Sequence, residues 1–114
     1  MSLALINEQV DKILSGLRKS KEVRPLQKEK LKILVKDMAL TFTEKGLPFR
    51  LIVNLWTLYR VLDRIAEDNE ELLKKTTYSV ALAMAAAESD DEEREELIGM
   101  FKREVLKIAE EACI

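Results

Sequence analysis

Apolar residues recur along this chain at steps of three and four, the spacing that lines one side of an α-helix. Over residues 3–17 the apolar row is Ile6, Val10, Ile13, Leu14 and Leu17, and Arg18-Lys19-Ser20-Lys21 then leaves it. A second row is Leu31, Leu34, Val35, Met38, Ala39 and Phe42. It predicts a helix with Pro25 at its first position, where a missing N–H costs nothing. Gly46, following Glu44 and Lys45, marks the stop of that helix, and Pro48 opens the next.

The third helix, about residues 48–67, is the most apolar. Leu51, Ile52, Val53, Leu55, Trp56, Leu58, Tyr59, Val61, Leu62 and Ile65 cover most of its circumference. A helix that is apolar nearly all round is buried on several sides, so this one is expected at the centre of the fold. The polar strip left over is Arg50, Asn54, Thr57 and Arg64, flanked by Arg60.

Asp68 with Glu71 has the form of a capping box for a fourth helix reaching about residue 87. Small residues at Ala81/Ala85 and Ala83/Ala87 let a neighbouring backbone come close. Ser89 with Glu92 caps a fifth helix in the same way, and the acids at 90–93 sit where the helix dipole favours negative charge. Leu97, Ile98, Phe101, Val105, Ile108 and Ala112 form its apolar face, and Gly99 inside it is expected to mark a close packing contact.

Connections of a few residues force neighbouring helices to run roughly antiparallel. The expected fold is therefore all-α: a single domain over residues 1–114, built as a compact five-helix bundle around the central apolar helix. Units opening at Lys21, Leu47, Glu70 and Glu92 start 26, 23 and 22 residues apart, which leaves a short helical-repeat stack as the alternative. The units share no residue pattern, and the bundle is preferred.

Composition agrees with this class. Of 114 residues, 47% are hydrophobic and 35% charged, which excludes a disordered chain. With 3 Gly and 2 Pro there are too few turn formers for a β-rich fold. The lone Cys113 cannot staple the fold, which points to a reducing, cytoplasmic setting. Asn7 and Glu8 interrupt the apolar start, so no signal peptide is expected. The longest uncharged apolar run, residues 80–87, falls far short of the ~20 residues a bilayer needs. Glu and Lys supply 27 residues while Asn and Gln supply five, a balance similar to that of hyperthermophile proteins.

Charge changes the picture most. Residues 1–60 carry 12 Lys/Arg against 6 Asp/Glu, a net of +6, and residues 61–114 carry 7 against 15, a net of −8. Opposite fields on two halves of a small domain call for partners: an anion for one half, or a second copy of the chain for both. The basic cluster is Arg18, Lys19, Lys21, Arg24, Lys28, Lys30, Lys32 and Lys36. Lys28, Lys32 and Lys36 fall at i, i+4 and i+8, and each like-charged pair there costs about 0.2–0.5 kcal/mol. A nucleic-acid backbone would offset that cost through counterion release, with Arg50, Arg60 and Arg64 extending the patch. No aromatics are interleaved with the lysines for base stacking.

Catalytic chemistry has little to stand on. The chain has no histidine, its serines carry no surrounding motif, and its three glycines stand alone at 16, 46 and 99. No catalytic residue, cofactor or metal site is assigned. Magnesium is the one metal that carboxylates alone could hold. Glu67 with Glu70 and Glu92 with Glu95 form pairs of the kind that all-α, magnesium-dependent nucleotide pyrophosphohydrolases use, but the closing Asp of the second motif is absent. The leading expectation is a non-catalytic interaction module, a homodimer or a small subunit of a larger assembly. Trp56 and Tyr59 serve as candidate aromatic anchors, and Ala81 and Ala85 as candidate close-approach positions. Nucleic-acid binding through residues 18–36 is the second reading, and a divergent pyrophosphohydrolase the third.

Overall fold

The structure, a computed structural model, describes residues 24–113. Four α-helices occupy them: α1 (Arg24–Glu44), α2 (Phe49–Arg64), α3 (Glu70–Glu88) and α4 (Asp91–Glu111). No strand occurs among the described residues. The count is thus four where five were expected, and the helix expected over residues 3–17 lies outside the described residues.

The end of α1 is closed as the sequence predicts. Gly46 adopts φ 70°, a conformation that costs a residue without Cβ little. Its N–H donates to the Thr43 carbonyl at 3.1 Å, and the Leu47 N–H reaches back to Phe42 O at 3.0 Å. That pair of bonds satisfies carbonyls the helix end would otherwise leave orphaned.

Other boundaries differ from expectation. Pro48 precedes α2 instead of opening it, with φ −54° and ψ 137°. The helix ends at Arg64 and not near residue 67, because Ile65 turns to an extended ψ of 148° and carries its side chain into the core. The cap of α3 is Asn69, not Asp68: its side-chain oxygen accepts from the Leu72 N–H at 3.2 Å. An N-cap residue is itself non-helical, so the turn at 66–69 has to precede the helix, and Glu67 and Asp68 fall in that turn. The cap of α4 is Asp90, not Ser89, its carboxylate accepting from Glu93 N at 2.9 Å. The Ser89 hydroxyl instead donates to the Ala85 carbonyl at 2.6 Å at the end of α3.

The buried face of α1 is Leu31, Val35, Met38, Ala39 and Phe42, with Leu34 half-buried. That of α4 is Leu97, Ile98, Phe101, Val105, Ile108 and Ala109. The most deeply placed helix, however, is α3 and not α2. It buries Val80, Ala81, Leu82, Ala83, Ala85 and Ala86 completely, while α2 buries one face through Leu51, Leu55, Leu58, Val61 and Leu62. The alanines explain this, since their small side chains let α4 lie close along α3. Buried Thr76, Thr77 and Ser79 cost α3 little, because each hydroxyl donates to the carbonyl four residues back. Both α2 and α3 touch all three of the other helices. The radius of gyration, 13.2 Å, is close to the ~13 Å of a compact domain of about 100 residues.

Gly99 is not a close contact. A Cβ there would meet only the Arg103 guanidinium, at an ordinary 3.5 Å.

Candidate interaction surface

The basic region does not behave as one uniform row. Arg18, Lys19 and Lys21 lie outside the described residues, and Arg24 opens α1. Lys36 is exposed, and Lys28 and Lys30 are half-buried. Lys32 turns away from solvent. Its side chain is 16% exposed and pairs with Asp63 of α2, with Glu29 3.6 Å away on its own helix. Its ammonium also lies 5.5 Å from the centre of the Tyr59 ring, within reach of a cation–π attraction. The hydrogen bond to Asp63 foremost, then the nearby negative charge of Asp63 and Glu29, holds the Lys32 ammonium above its usual pKa against the opposing effect of burial. Lys32 is therefore a strut between α1 and α2.

The acidic residues are likewise partly committed within the chain. Glu95 of α4 pairs with Arg50 at the start of α2. Glu111 at the end of α4 accepts from Lys75 of α3 at 2.7 Å, which raises the Lys75 pKa. Arg94 reaches back to the end of α3, donating from Nε to Ala86 O and from Nη2 to Ser89 O, both at 2.9 Å. Glu67 lies in the turn before α3, Glu70 opens α3, and Glu92 stands in the first turn of α4. No group of three or more Asp, Glu, Cys or His able to hold a metal ion occurs among the described residues. Cys113 is an exposed free thiol.

The four residues expected at an interface separate. Ala81 and Ala85 are fully buried in the chain's own interior, where they admit a neighbouring helix and reach no surface. Tyr59 is half-buried beneath Lys32, and its ring meets that of Trp56 edge-on with centroids 5.9 Å apart. Trp56 is packed against the core yet keeps part of its surface in solvent.

What the sequence did not single out is the outward side of α2. With Leu51, Leu55, Leu58 and Leu62 turned inward, the opposite face carries Phe49, Val53, Trp56, Arg60 and Arg64. The Phe49 side chain is 77% exposed and Val53 is 40% exposed. Asn54 and Thr57 of the polar strip spend their side chains locally, donating to the Arg50 and Val53 carbonyls. Apolar residues are exposed on the other helices too, Ile33 and Leu40 on α1, Tyr78 on α3 and Leu106 on α4, as is ordinary for a protein surface. No helix among the described residues is long and apolar enough to cross a membrane.

Compared with known proteins, the chain matches no family model, no curated protein and no solved structure.

Proposed function

We propose that this chain is a non-catalytic helical interaction module that pairs with a second copy of itself. The carrying observation is the outward face of α2, where a phenylalanine 77% exposed heads a row continued by Val53 and Trp56. One exposed phenylalanine and a partly exposed tryptophan on a rigid element, flanked by arginines, have the composition of an interface centre. The charge division between the two halves of the chain supports a partner of the same composition, because each copy then offers what the other lacks.

In this reading the chain is one domain, its helices a mostly antiparallel bundle in which α3 fills the middle and α2 presents its outer face. It acts in the cytoplasm, where a lone exposed thiol stays reduced. The test is light scattering across a hundredfold range of concentration. A mass approaching twice 13.1 kDa at the upper end supports self-association. A mass of one chain throughout rejects it.

Exposed Lys36, Arg60 and Arg64, none of them in an ion pair among the described residues, favour a second reading as a phosphate-backbone contact. With Lys32 held by Asp63, that reading rests on fewer cations than the sequence offered. Titration with labelled DNA and RNA at two salt concentrations separates it from the first, since backbone contacts weaken steeply with salt.

A further inference from the structure

Resting on the self-association just proposed, we infer that two copies join through antiparallel pairing of their α2 helices, with Val53 and Trp56 at the two-fold axis and Arg60 of each copy set against Glu95 of the other.

Phe49, Val53, Trp56 and Arg60 are spaced by four, three and four residues, so they form one continuous ridge along α2. At 1.5 Å per residue the ridge runs about 16 Å from Phe49 to Arg60. Its ends differ in charge. Beside Phe49 the Arg50–Glu95 pair ties α2 to the first turns of α4, where Asp91, Glu92, Glu95 and Glu96 are all exposed. At the other end Arg60 and Arg64 are exposed and make no ion pair among the described residues. The ridge is thus apolar in its first half, basic at its C-terminal end and acidic alongside its N-terminal end.

A two-fold axis across the ridge turns that polarity into complementarity. It lays Val53 against the partner's Trp56 and closes the apolar halves on one another. It also brings Arg60 of each copy to the other's Phe49 and Glu95, where an arginine gains both a ring face and a carboxylate. Both contacts occur twice, as a two-fold interface requires. Parallel pairing would set arginine on arginine and leave the acids unmet, so charge selects the antiparallel arrangement.

The experiment measures the dimer dissociation constant by sedimentation, with the fluorescence of Trp56, the single tryptophan, as a second readout. Val53→Arg places charge at the axis on an exposed site. It is expected to abolish the dimer and shift Trp56 emission to the red while leaving the helical circular dichroism of the monomer unchanged. The pair R50E/E95R inverts the ion pair within one chain and keeps it whole, but it sets two positive charges against each other where Glu95 had met the partner's Arg60. That variant is expected to weaken the dimer at least about tenfold, the scale of losing and reversing two exposed charge contacts. Adding Arg60→Glu is expected to restore wild-type association. If the wild type dimerises but Val53→Arg does so equally well, or the third substitution restores nothing, this pairing is overturned while self-association stands. If the wild type never dimerises, both fail.

Discussion

Lys32 of α1 is bonded to Asp63 of α2, its ammonium held at the carboxylate and over the ring of Tyr59 on the same helix. This one contact divides the basic cluster. A lysine in the middle of a row that reads as a phosphate-binding face is spent on fastening two helices together. The cations left for a partner lie beyond it, Lys36 on α1 and Arg60 and Arg64 on α2.

Replacing Lys32 by alanine is therefore expected to destabilise the fold by about 1 kcal/mol, the combined scale of a partly shielded ion pair and a cation–π contact. The sign of its pH dependence follows from the raised pKa. The contribution is fully present below the ordinary lysine value of 10.5 and is lost as pH rises through the higher value of the folded state. Lys75, raised by its bond to Glu111, behaves the same way. Urea melts between pH 9 and about 12 are expected to show stability falling in that window. The fall is smaller in Lys32→Ala than in the wild type.

The helix caps give a contrast between neighbours. Asn69→Ala is expected to cost about 1 kcal/mol, since the Leu72 N–H loses its acceptor. Asp68→Ala lies in the preceding turn with no capping bond and is expected to change stability by less than about 0.5 kcal/mol. Equal losses in chemical denaturation would put the cap at the wrong residue.

Arg94 is expected to be the most sensitive charged residue on the surface. Its guanidinium fills carbonyls at the end of α3 while its own helix begins on the far side of the turn, so it locks the α3–α4 corner. Arg94→Ala is expected to cost about 1–2 kcal/mol. Arg94→Lys recovers little of this, because a single ammonium cannot reproduce the fork. Thermal melts of the two variants check both statements.

Gly99→Ala is expected to stabilise the protein by about 0.5–1 kcal/mol, because the position is mid-helix and a methyl group there meets only the mobile end of Arg103. A loss of stability in the same melts would mean that the site is packed after all.

How far the sequence carries is visible in particular residues. The periodic rows of α1 and α4 identify their buried faces almost residue by residue, because in each the apolar row forms one stripe and the rest is mostly charged, Ile33, Leu40 and Leu106 excepted. For α2 the same reasoning fails. Ten apolar residues spread round a helix say that it is sticky, not which side is covered, and the answer comes from α3, whose alanines draw α4 inward and leave Phe49 and Val53 outside. Asn69 and Asp90 are displaced by one from the expected caps because neighbouring Asp68 and Ser89 carry equally suitable oxygens, and only backbone geometry selects between them. The pairings Lys32–Asp63 and Arg50–Glu95 join residues 31 and 45 positions apart, beyond any local spacing rule. Arg94 did leave a signal: it is the one cation within the acidic run at 90–96, a place where a base has to have local work.

The most direct test of pairing through α2 is to mix two variants that each fail alone. R50E/E95R sets arginine on arginine, and Arg60→Glu sets glutamate on glutamate. In the mixture each end of the interface meets its opposite charge. Position 95 of the first variant, now basic, faces position 60 of the second, now acidic, and at the other end the unchanged Arg60 meets the unchanged Glu95. Sedimentation at a concentration close to the wild-type dissociation constant is expected to give a mass nearer one chain for either variant and a mass equal to the wild type's for the equimolar mixture. A mixture that stays monomeric, or variants that dimerise unmixed as the wild type does, would contradict the account.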